Sequence, residues 1–115
     1  MRTYQRFTLP AHGVIEFLAG LTMMILPLPL SFAPAALLVC VALGAILAGT
    51  SLGLTAQRPI SSRAHSGFDN AFALITALAA LALAASGQPA PVILLAAVVL
   101  VETTLALTTR YVVPE

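Results

Sequence analysis

Lysine and tryptophan are absent from this 115-residue chain, cysteine occurs once, and charged residues make up only 8% of it. The shortage of charge excludes most: a water-soluble domain carries roughly a quarter charged residues, whereas 60% of this chain is hydrophobic and its mean hydropathy is +1.04. The chain therefore reads as an integral membrane protein in contact with the lipid bilayer. A lone cysteine, Cys40, excludes an internal disulfide, and its setting in Leu38-Val39-Cys40-Val41-Ala42 marks it as a small buried hydrophobe. A net charge of +1 gives nucleic acid nothing to bind. With no glycine-rich phosphate loop and no serine or cysteine nucleophile arrangement, no enzymatic activity and no cofactor are expected.

The five basic residues are all arginines, and their placement sets a topology. Arg2 and Arg6 precede the first apolar segment, Arg58 and Arg63 separate the second from the third, and Arg110 follows the fourth. Because cytoplasmic loops collect positive charge, both termini are predicted in the cytoplasm of a multi-pass protein of the cell inner (plasma) membrane. The outer turns, Pro27 to Pro34 and Ser86 to Pro91, carry no charge. The segments run from His12 to Leu28, Pro34 to Leu54, Phe68 to Ser86 and Pro91 to Thr109, each near the roughly 20 residues that a crossing helix needs. Ser31-Phe32-Ala33 loosely matches a signal-peptidase site, but Glu16 interrupts the apolar run before it and Pro34 follows it, so the first segment is expected to stay. The fold expected is all-α: four transmembrane helices in one compact bundle spanning the single domain 1–115.

Two halves echo one another. Ala11-His12-Gly13-Val14-Ile15-Glu16-Phe17 is matched by Ala64-His65-Ser66-Gly67-Phe68-Asp69-Asn70, and Ala33-Pro34 by Ala90-Pro91. This predicts two parallel helical-hairpin repeats, at about 9–55 and about 62–111, related by an axis along the membrane normal. Small residues mark helix packing: Gly49 and Gly53 on one stripe of the second helix, Gly44 and Ala48 on a neighbouring one. A homodimer through the Gly49/Gly53 face, or a larger membrane-protein partner, is the association expected.

The polar residues carry what chemistry there is. His12 with Glu16 and His65 with Asp69 are each spaced by four, which puts each pair on one helix face. Parallel repeats bring both pairs to one depth, joined by Glu102, eight residues before Arg110 and so about 12 Å into the fourth helix. An ionised acid near a helix centre costs about 2.5 to 3.5 kcal/mol on insertion scales, so Glu102 must face inward with a proton or a partner, for which His12, His65, Thr50 and Ser51 are the candidates. Three readings follow: a structural or accessory subunit of a membrane assembly, favoured on sequence alone; a proton-coupled or ion-binding transporter subunit titrating at Glu102, with His12, His65, Glu16 and Asp69 lining its cytoplasmic access; and a divalent-metal protein, since two histidines and these carboxylates suit zinc, manganese or iron.

The helix start His12 to Phe17, Gly20 with the outer Pro27, and Phe32-Ala33-Pro34 opening the next helix together distantly resemble the SPW-repeat family of small bacterial integral membrane proteins. The naming Ser-Pro-Trp tripeptide is absent here. The resemblance implies a compact four-helix membrane protein and brings no catalytic residues with it.

Overall fold

The computed structural model describes residues 9–55 and 62–108, with side chains described for 11–52 and 66–108. Among these residues the chain is all-helical: α1 Leu9–Ile25, α2 Pro34–Thr55, α3 Ser62–Ala85 and α4 Pro89–Thr108. Proline opens α2 and α4 where its missing amide hydrogen is least needed. The start of α4 lies two residues ahead of the expected Pro91, and α3 begins six residues ahead of the expected Phe68. His65 therefore lies in α3. The arginines on which the topology prediction rests fall outside the residues whose side chains are described.

Three helical stretches, Pro34–Leu52, Ser66–Ala85 and Pro89–Thr108, are long and apolar enough to cross a membrane. The first is shorter than expected: its apolar helix is Ala11–Ile25, and α1 stops at Ile25 rather than reaching Leu28. Leu26-Pro27-Leu28-Pro29 explains the stop, because each proline lacks an amide hydrogen and disfavours helical backbone in the residue before it. Residues 26–31 continue as turns.

Both hairpin turns use the same capping geometry. In the first, the Ser31 N–H donates to the Leu28 carbonyl at 3.1 Å and the Phe32 N–H to the Pro27 carbonyl at 3.0 Å, with Ser31 at φ 55°. In the second, the Gly87 N–H donates to Ala84 at 3.0 Å and the Gln88 N–H to Leu83 at 3.2 Å, with Gly87 at φ 77°. These are Schellman caps, in which the left-handed residue lets the last carbonyls find donors. Pro27 and Phe32 are buried at the first turn, supplying the hydrophobic contact that usually closes such a cap.

Packing is densest within the pairs α1/α2 and α3/α4, and sparser between them. The α1/α2 contact is backbone against backbone. A Cβ on Gly20 would lie 2.7 Å from the Gly44 carbonyl oxygen and 2.7 Å from the Ala48 nitrogen, and a Cβ on Gly44 would lie 2.6 Å from the Gly20 carbonyl oxygen. No side chain fits there. Of the predicted packing glycines, Gly44 thus closes the first hairpin, with Gly20 as an unforeseen partner. Gly49 does not join it: it is exposed, with nothing within 4 Å of where its Cβ would be, because it lies about 100° further round the helix than Ala48. The surroundings of Gly53 lie outside the described residues.

A shared core joins the hairpins, with Met23, Phe32, Ala36, Cys40 and Leu47 from one packed with Phe72, Ala80, Leu83, Leu95 and Val98 from the other. Cys40 is fully buried in it, as its apolar setting predicts.

Thermal unfolding in lipid nanodiscs checks these contacts. Gly44→Val should cost about 1–3 kcal/mol or more through overpacking, while Gly49→Ala should stay within about 0.5 kcal/mol. Ser31→Gly should gain about 1 kcal/mol by removing the left-handed penalty of a residue with a Cβ, and Gly87→Ala should lose a similar amount.

Candidate functional site

Helical spacing sends one stripe of each helix inward. On α1 the buried stripe is His12, Glu16, Gly20 and Met23; on α3 it is Asp69, Phe72, Thr76, Ala80 and Leu83; on α4 it is Pro91, Leu95, Val98, Glu102 and Leu105. The intervals of three and four are those of a helix face. The acids share one level. Glu16 and Asp69 are each seven residues from the start of their helix and Glu102 is six from the end of its own, so all three lie about 9–10 Å in at 1.5 Å per residue.

At that level His12, Glu16, Asp69 and Glu102 are buried to 1% exposure or less. The His12 Nε2 stands 2.8 Å from Asp69 Oδ2, across the gap between hairpins, and 3.1 Å from Glu16 Oε2 on its own helix. One ring nitrogen thus faces two carboxyl groups. The Glu102 carboxyl lies in the field of Glu16 and Asp69, and neither of its oxygens has a hydrogen-bond partner among the described residues. Acids gathered this closely in a dry interior favour holding a proton or a cation.

The partners expected for Glu102 need correction. Thr50 donates to the Ile46 carbonyl at 2.9 Å and to Leu47 at 3.1 Å, and Ser51 donates to Ala48 at 2.7 Å. Both hydroxyls serve their own helix, as serine and threonine in helices commonly do, so neither is bonded to Glu102. The His65 side chain lies outside the described residues, so the pairing expected of it with Asp69 and His12 does too.

A further interior polar group escaped the sequence reading. Thr76 is fully buried and its hydroxyl has no hydrogen-bond partner among the described residues, unlike Thr22, Thr50 and Thr108, which bond back along their helices. The signal was available: Thr76 is the one polar residue between Asn70 and Ser86, and it follows Asp69 by seven, on the same face.

His12, Glu16 and Asp69 each present a ligand atom within 4.8 Å of the others, so the same atoms that share a proton could hold a metal ion. With His12 charged and every acid ionised, one positive charge would face three negative ones in a dry interior, so the cluster requires added positive charge. No family model, no curated protein and no solved structure matches the chain. The likeness to SPW repeats therefore rests on the residues quoted for it.

Replacing Thr76 by valine keeps its shape and removes an unsatisfied hydroxyl, and should raise stability by about 1 kcal/mol in nanodisc unfolding. A loss instead would mean that the hydroxyl has a partner in the membrane-embedded protein.

Proposed function

We propose that this chain is a small multi-pass protein of the inner membrane whose buried His12, Glu16, Asp69 and Glu102 bind a proton or cation from the cytoplasmic side, as a subunit of an ion-coupled transport or sensing system. The observation that carries this reading is Glu102: a buried acid in the field of Glu16 and Asp69, with no hydrogen-bond partner at either oxygen among the described residues. A purely structural helix gains nothing from such a residue, since well-packed apolar groups in place of buried ions are often neutral or stabilising. Ionisable residues within membrane helices mark ion and proton routes by default.

The topology proposed has four crossings, with α1 and its turn at 26–31 forming the first, and both termini cytoplasmic. The arginine distribution supports it. The two-repeat architecture draws support from burial at matching positions. Glu16 and Met23 on α1 and Pro27 just beyond it are buried, as are Asp69, Thr76 and Ala80, 53 residues later, on α3. Counting from the prolines that open α2 and α4, Ala36, Cys40 and Leu47 correspond to Pro91, Leu95 and Glu102, and all six are buried.

A second reading, a structural subunit of a larger assembly or homodimer, is favoured by Gly49. It faces outward with open space before it, where a neighbouring helix can approach closely.

Glu102→Gln, compared with wild type in lipid nanodiscs, separates the two. For a proton or cation site the variant should be more stable by about 1–3 kcal/mol, because an acid kept for function is kept at the expense of stability, and it should exchange about one proton fewer in a pH-jump titration. A variant that is less stable and exchanges the same number of protons would make Glu102 part of the structural bonding and leave the assembly reading.

A further inference from the structure

The geometry points to a divalent transition-metal ion of the zinc or manganese class as the cation of this site, held by the His12 Nε2 and one oxygen each from Glu16 and Asp69. This inference rests on the reading of the cluster as a cation or proton site and names its ligand.

The donor set makes the selection. One imidazole nitrogen with two carboxylates is the mixed nitrogen and oxygen environment that zinc, manganese and iron accept, whereas calcium and magnesium prefer oxygen alone. Three protein donors leave the fourth position of a zinc tetrahedron to water, with ligand bonds of about 2.0–2.2 Å. At that bond length neighbouring ligand atoms of a tetrahedron stand about 3.4 Å apart. The His12 Nε2 stands 2.8 Å from Asp69 Oδ2 and 3.1 Å from Glu16 Oε2, so these two distances would open by about 0.3–0.6 Å to admit an ion, and the ligand atoms of all three residues already lie within 4.8 Å of one another.

Glu102 supplies an independent argument. Its buried oxygens have no hydrogen-bond partner among the described residues, and its carboxyl lies in the field of Glu16 and Asp69, so a cation held by those two acids also favours Glu102. Charge is accounted for as well: a doubly positive ion offsets the Glu16 and Asp69 carboxylates, Glu102 keeps a proton or leaves one net negative charge, and His12 is neutral with Nε2 as the ligand. A protonated His12 gives up its Nε2 proton to water as the metal enters, so binding releases protons. The ligands come from α1 and α3, one in each hairpin, so the ion would fasten one hairpin to the other.

Full-length protein in nanodiscs, purified without chelators, tests this by elemental analysis and by titration with zinc and with manganese. Expected are about one ion per chain, a melting temperature raised by several degrees on metal addition, and release of about one to two protons per ion, read from calorimetry in two buffers. His12→Ala and Asp69→Asn should each weaken binding at least tenfold. If His12→Ala does not fold, Asp69→Asn decides alone. Binding that survives both variants overturns the assignment. Absence of metal binding while Glu102→Gln still changes proton exchange overturns the metal and leaves the proton site standing; absence of both effects removes the two readings together.

Discussion

A carboxyl group in an apolar interior has to find a proton, a cation or a hydrogen-bond donor, and among the described residues the interior of this bundle holds three of them with one imidazole. That shortage governs the rest. The other described residues on the inward faces are apolar or small, apart from Ser51, which bonds to its own helix, and Thr76, about two turns away from Asp69. The acids must therefore be neutralised by one another, by His12, or by something that enters. His12 spends its Nε2 on Asp69 and Glu16, which leaves Glu102 facing an acid.

The backbone contact at Gly20 and Gly44 fixes where this cluster can form. It binds α1 to α2 too closely for either to turn about its axis without lifting the other away, so the His12/Glu16 face of α1, one and two turns along from Gly20, is held toward α3 and α4. Between the hairpins the packing is thinner, and the 2.8 Å contact of His12 with Asp69 crosses that seam. A polar link within an apolar seam has an energetic meaning. Separating the hairpins there would strip Asp69 of its partner in surroundings with few substitutes, so the cluster both asks for a ligand and resists being pulled apart.

Much of this was legible in the residues, and the misses have physical causes. Apolar runs bounded by prolines located α2 and α4 well, and the spacing of His12 with Glu16 correctly put both on one face. The end of α1 was overshot because a hydropathy reading passes through Pro27 and Pro29 without noting that each removes a helical donor. Gly44 was found as a packing glycine but its partner Gly20 was not, because the motif was matched within one helix whereas close approach needs small residues on both partners. Inward faces were hidden for a related reason: lipid asks of an outer face the same apolar character that packing asks of an inner one, so only the polar and the very small residues betray the interior. Thr76 met that criterion and was passed over.

Departures from symmetry between the halves say more about the site than the symmetry does. Glu16 on α1 has Asp69 as its counterpart on α3, but Glu102 on α4 has Leu47 at the same distance from its opening proline on α2, and both are fully buried or nearly so. A fold stabilised by repeated hydrogen bonds would place like residues at like positions. Here the fourth helix brings an acid where the second brings a leucine, so the buried acids come from α1, α3 and α4, and among the described residues α2 supplies none. Packing alone does not ask for an acid at one of two equivalent buried positions, because a well-packed apolar side chain there is often neutral or stabilising.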